Sequence, residues 1–177
     1  MRTGLLVALL LAAALAACGS GEPAEQQDAG AVDAPLLAFD TVALRIATEA
    51  DTLPLRAELA ATQEQRALGL MERSSLPADA GMLFWYTEAQ PGSAGFWMFR
   101  TRIPLDIAFL GTGGEILAIQ AMEPCPSQYP SYCPSYPAGV EFQGALEVNR
   151  GFFQRHGIGT GDRVLLPDGL AAPADGP

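Results

Sequence analysis

"PLDIAFLGTGGEILAIQAM", residues 104–122, decides the fold. Leu105, Ile107 and Phe109 fall on one face of an extended segment, and Asp106, Ala108 and Leu110 fall on the other. "GTGG", 111–114, is a turn of the hairpin kind, and "EILAIQAM" runs back from it. The same period recurs on both sides of this hairpin. Upstream, Val42, Leu44 and Ile46 alternate with Ala43, Arg45 and Ala47, and Leu55, Ala57 and Leu59 alternate with Arg56, Glu58 and Ala60. Thr62, with Gln65 three residues on, is a capping box that opens a helix whose one face carries Ala67, Leu70 and Met71. "GMLFWY" (81–86) and "FWMF" (96–99) read as buried strands.

Downstream, "VEFQGALEV" (140–148) puts Phe142, Leu146 and Val148 opposite Glu141, Gln143 and Glu147. A short helix is expected from Asn149, as cap, to Gly157, as the residue after its end. "GIGTGDRVLL" turns on glycines into a last strand, with Asp162 bonding turn amides. The expected fold is mainly β (β-rich α+β): a small antiparallel barrel or strongly curled sheet with two short helices over its ends.

The termini read differently. Arg2 and the apolar run Leu5–Ala17 form a charged n-region and a hydrophobic region too short to span a bilayer comfortably. "LAAC", 15–18, looks like the lipobox of bacterial lipoproteins, and that resemblance implies cleavage before Cys18 and lipid on it. Gly19 follows where an aspartate would argue for inner-membrane retention, so the reading is a cell-envelope protein, on the outer membrane where the organism has one. Residues 1–17 are then a signal peptide and 18–40 an acidic, flexible tether. The globular domain is 41–166, and 167–177 is a disordered tail. The chain carries 20 acidic residues against 10 basic ones, all arginine. That balance disfavours nucleic acid and anionic headgroups as partners, so membrane contact is expected through the lipid on Cys18.

Chemistry is sparse. His156 is the single histidine, and "PGSAG" (91–95) lacks the first glycine of a nucleophile elbow. "GTGGE" lacks the lysine of a phosphate loop, and one histidine makes a zinc site of the usual kind unsupported. Met71, Met82, Met98 and Met122 could offer thioethers to Cu(I), but two of them sit in apolar motifs where methionine fills core gaps. The expectation is no metal and no cofactor.

Cys125 and Cys133, in "EPCPSQYPSYCPSYP", suit a structural disulfide in an oxidising envelope. A redox pair is the alternative, without the close Cys-x-x-Cys spacing. Asp106 and Glu147 are a candidate carboxylate pair for a hydrolase. The competing reading pairs Asp106 with Arg100 or Arg102 as structure. "GFWMFRTRIPLDIAFL", 95–110, then reads as two buried strands around a charged corner. The candidate ligand-binding set is Arg73, Trp97, Arg100, Thr101, Arg102 and Asp106. Tyr86, Tyr129, Tyr132 and Tyr136 add aromatic area suited to a glycan or peptide.

"GLM" (69–71), "GMLF" (81–84), "FWM" (96–98), "PLDIAF" (104–109), "LEV" (146–148) and "GIGTGDRV" (157–164) occur in one order. Together they resemble the family called domain of unknown function one-nine-two. The resemblance implies a compact β-rich domain and assigns no activity. Where that family usually has a Lys-Asn-Thr-like turn after Phe-Trp-Met, this chain has Phe99, Arg100 and Thr101. An amide able to donate and accept is replaced by a cation that only donates. The combined expectation is a lipid-anchored, non-catalytic domain that binds a small ligand, glycan or protein partner in the envelope, with the carboxylate-pair hydrolase as the alternative.

Overall fold

The computed structural model describes residues 37–170. Nine strands are present: β1 Asp40–Ala47, β2 Thr52–Ala60, β3 Ala80–Gln90, β4 Gly95–Trp97, β5 Leu105–Leu110, β6 Ile116–Met122, β7 Ser135–Pro137, β8 Phe142–Asn149 and β9 Arg163–Leu165. Two short helices join them, α1 Gln63–Leu68 and α2 Phe152–Arg155. Seven strands form one sheet in the order β6-β5-β8-β3-β2-β1-β9, and β4 pairs with β7 in a separate ribbon. Every pairing is antiparallel except β2 with β3, which the α1 crossover makes parallel.

The decisive hairpin forms as expected. Leu105 pairs with Met122 and Leu110 with Ile116 across the turn at 111–114. The sheet then curls until its two edges meet. Ile116 N–H donates to Asp162 O (2.8 Å) and Val164 N–H to Gly114 O (2.8 Å). Gly114 is needed at this seam. Its φ is +78°, and a Cβ there would lie 2.0 Å from the Val164 carbonyl oxygen. These bonds tie the start of β6 to the β9 edge and leave fewer unpaired edge groups than a flat open sheet would.

Both faces of the sheet are covered. The inner cluster draws on Leu44, Leu55, Leu83, Leu110, Leu146 and Val164, and Phe152 and Phe153 of α2 plug it. The outer cluster holds Met82, Phe84, Ile107, Phe109, Ala145 and Phe142, covered by Leu70, Leu76 and Met98 from the connections. β5 lies between the two and is buried at all six positions. Met82, Met98 and Met122 are fully buried core side chains.

Several sequence readings change. "FWMF" is not one buried strand. Only Gly95–Trp97 is extended, in the small ribbon, and Trp97 stays 46% exposed. Asn149 does not cap α2. It ends β8 and donates through Nδ2 to the carbonyls of Leu76 and Pro77, while Gly151 (φ 75°) is the cap residue. Pro167–Leu170 make a turn whose last residue packs on the inner cluster, so the packed chain runs past Leu166. The capping box on α1 forms, with Gln65 N–H donating to Thr62 Oγ1 and Thr62 N–H to Gln65 Oε1. The Asp162 turn forms too, its Oδ2 accepting from Gly159 N–H at 2.8 Å. Cys18 and the signal and most of the tether, 1–36, lie outside the described residues.

Candidate functional site

Strand register decides which carboxylates can act together. Asp106 pairs with Val148, and Ile107 pairs with Glu147. Cross-strand partners share a face, so Asp106 points with Val148 toward the inner side and Glu147 points with Ile107 and Met82 toward the outer side. The two carboxylates therefore stand on opposite faces of one sheet. A hydrolase that needs both in one pocket is not available to this fold.

Asp106 is 6% exposed and fully engaged. Its Oδ2 accepts from Gly151 N–H at 2.8 Å, and its Oδ1 lies 3.5 Å from Nε of Arg150. Burial pushes its carboxyl up, opposed by the Gly151 N–H and by Arg150, Arg155 and the Phe152 amide. The partner is thus Arg150, delivered by the β5–β8 pairing, and not the sequence neighbours Arg100 or Arg102. Those two both bind Glu72 instead, Arg100 Nε at 2.5 Å from Oε1 and Arg102 on Oε2. Arg73 pairs side by side with Glu58 at 2.5–2.6 Å, and that bond raises its own pKa. His156 ends α2 and packs on Phe152, ring centres 4.7 Å apart.

Glu147 is the group the sequence misplaces. It is not on a solvated face. It is 4% exposed, and burial alone pushes its carboxyl from 4.5 to about 8. Among the described residues it makes no ion pair and no side-chain hydrogen bond, yet no fully enclosed side-chain oxygen or nitrogen lacks a partner. The carboxyl must therefore reach open space. That space is a narrow pocket lined by Glu147, Thr101, Phe96, Trp97, Phe84 and Met71, with the α1 end, Arg66–Leu70, closing one side. It holds about 20 Å³ for water-sized occupants, enough for roughly one such molecule.

Local chain chemistry builds this pocket. The α1 capping box starts the helix, and Gly69 ends it at φ +49°, where a Cβ would press on the Phe84 ring at 3.3 Å. Next to the lining residues Met71 and Thr101, Glu72 (φ 62°) and Arg100 (φ 58°) are the two non-glycine residues with left-handed backbone among those described. They face each other: Glu72 N–H donates to Arg100 O at 2.7 Å. This conformation costs about 1–2 kcal/mol for an ordinary residue and is where asparagine is enriched. An amide at position 100 thus suits the turn itself, and the ion pair with Glu72 holds Arg100 there.

Thr101, 6% exposed, is fixed by its N–H to Met98 O (3.1 Å). Met98 O also accepts from Cys125 N–H, which ties the cysteine loop to the pocket wall. Cys125 and Cys133 have sulfurs at bonding distance and Cα atoms 5.6 Å apart. Tyr129 and Tyr132 stand exposed on that loop, while Tyr136 is half-buried and accepts from Glu123 N–H. Leu68 and Trp97, both exposed apolar side chains, rim the pocket mouth. Of the sequence-named set, Trp97 and Thr101 line the pocket, and Arg100 and Arg102 flank Thr101 in the chain without lining the pocket. Arg73 and Asp106 are not part of it. Leu68 is not on the expected Ala67, Leu70 and Met71 face, and α1 ends at Leu68, so Leu70 and Met71 lie beyond the helix; neither the early end nor the exposure of Leu68 is a local signal. No group of three or more metal-ligating His, Cys, Asp or Glu side chains occurs among the described residues.

The family model DUF192, "Uncharacterized ACR", matches residues 45–166, and the chain belongs to that family. Two solved structures are similar. One, from Sinorhizobium meliloti 1021 and described as a "putative transcription regulator", is 31% identical, with 73% of this chain and 95% of that one covered and a TM-score of 0.64. The other, a protein of unknown function from Novosphingobium aromaticivorans DSM 12444, is 32% identical, covering 75% and 89%, with a TM-score of 0.62. No curated protein matches.

Proposed function

We propose that the chain is a lipid-anchored envelope protein whose β domain binds a small ligand, without catalysis, in the Glu147 pocket. The observation that carries the binding reading is the Glu147 carboxyl: nearly buried, without a protein partner among the described residues, and open to a pocket rimmed by Trp97 and Leu68. An unpaired carboxyl at such depth destabilises the fold, and sites that keep perturbed groups in clefts are functional candidates. The separation of Asp106 from Glu147 on opposite faces supports a binding role over hydrolysis. The acidic chain, net charge −10, argues against a nucleic-acid partner, so the regulator description of the Sinorhizobium protein is not carried over.

Binding is tested by amide NMR of the purified chain against a library of small polar and aromatic fragments. Shifts should cluster on Gly69–Met71, Phe96–Thr101 and Glu147. Shifts confined to the tyrosine loop or to Asp106 and Arg150 would move the site elsewhere. The anchor rests on "LAAC", and Cys18→Ser should leave unprocessed precursor that takes up no labelled fatty acid. Normal labelling and maturation of that variant would end the lipoprotein reading.

A further inference from the structure

We infer that the ligand group seated in this pocket is a primary ammonium at the end of an alkyl chain, held by the Glu147 carboxylate and the Thr101 hydroxyl. The inference rests on the pocket being the binding site. An ammonium brings three donors and no acceptor. Glu147 and Thr101 line the pocket, carry three oxygens between them, and make no side-chain hydrogen bond among the described residues. The pocket's size, about 20 Å³, admits a group no larger than a water molecule, which an –NH₃⁺ tip matches. The rest of the lining is apolar and aromatic: Met71, Phe84 and Phe96, with the exposed Leu68 and Trp97 at the rim, where the alkyl chain leaves the pocket. Methylene groups suit such a rim, and aromatic side chains attract a cation. The acidic chain also steers cations toward it.

The other charged and titratable groups near Glu147 have partners of their own, and Glu58 of β2, which shares the outer face across Met82, is held by Arg73. Arg66 of α1 lines the pocket, but its guanidinium donates to the carbonyls of Ala61 and Trp85 and sits 4.5 Å over the Tyr86 ring. Tyr86 of β3 feels the Glu147 charge, and its phenol is raised by burial. Glu72, beside Met71, is lowered by its bonds to Arg100 and Arg102. Arginine keeps its charge throughout the working range. Between pH 6 and 8, Glu147 is then the group here that changes charge.

The ammonium needs the ionised carboxylate, so binding must release the carboxyl proton. Three probes separate the cases in the purified full chain by amide NMR: n-butylammonium, an N-acetyl-lysine amide to stand for a peptide lysine, and n-butanol as the neutral isostere. At least one ammonium probe should shift Phe96–Thr101 and Glu147, with affinity rising about tenfold per pH unit from pH 6 to 7. Glu147→Gln should weaken it at least tenfold at pH 8, and Thr101→Val should weaken it less. A response to butylammonium alone points to free amines as the source. A response to the lysine amide alone points to peptides. Butanol binding as well as either ammonium, or ammonium affinity that does not change with pH, overturns the inference and leaves the pocket reading standing. No response to any of the three probes at these residues overturns the inference, and silence of the fragment library there as well overturns the pocket reading.

Discussion

Glu147→Gln should stabilise this protein at neutral pH, and the gain should grow with pH. In the folded chain burial raises the carboxyl from 4.5 to about 8. The protonated acid is thus the form the fold tolerates. A raised carboxyl contributes stability that is fully present below about pH 4.5 and is lost as pH rises toward 8. At ~1.4 kcal/mol per pH unit, the whole loss is ~5 kcal/mol and the loss by pH 7 is ~3 kcal/mol. Glutamine has the same shape and never ionises, so the variant keeps what the wild type loses. Urea unfolding of both proteins at about pH 5, 6, 7 and 8 reads this directly. The two midpoints should differ least at pH 5, by the equivalent of about 0.7 kcal/mol, and separate steadily above it, the variant always higher. Parallel curves, or a variant less stable than wild type at pH 7, would mean that the carboxylate is paired or well solvated, and the reasoning would fail.

Asp106→Ala should cost about 1–3 kcal/mol, because it leaves the Gly151 N–H and the Arg150 guanidinium without their buried acceptor; an unchanged melting temperature would count against that role. Opening the Cys125–Cys133 bridge, which spans a sequence separation of 8, should cost about 2–3 kcal/mol by the loop-entropy argument, read as a lower urea midpoint with reductant. Two free thiols in the purified native protein would contradict it. Gly114→Ala should destabilise by about 3 kcal/mol or more, since its methyl would strike the Val164 carbonyl where the two sheet edges meet; a variant that melts like wild type would show that this contact can give.

Much of the fold was legible because it is written in period-two alternation. β1, β2 and the β5–β6 hairpin follow directly from Val42–Ile46, Leu55–Leu59 and Leu105–Leu110. The Thr62–Gln65 box and the Asp162 turn are local hydrogen-bond chemistry, and both form. What local pattern cannot reveal is what covers a face. Gln143 and Glu147 alternate with apolar residues and so read as a solvated side of β8. The connections carrying Leu70, Leu76 and Met98 lie over that side and bury Glu147. Partner choice is equally non-local. Arg100 and Arg102 are nearest to Asp106 in sequence, but the β5–β8 pairing brings Arg150 to it across the sheet. The site emerged from the same cause: Thr101 and Trp97 were read from their own segment, while the carboxyl they surround arrives from β8.

The central claim is that Glu147 is a buried, unpaired acid at the floor of a binding pocket. The most direct measurement is its own titration, by carbon NMR of glutamate side-chain carboxyls, with Glu147→Gln identifying the resonance. One carboxyl should titrate near 8, disappear in that variant, and move downward when whichever ammonium probe binds is added. A Glu147 resonance that titrates in the ordinary carboxylate range would contradict the account.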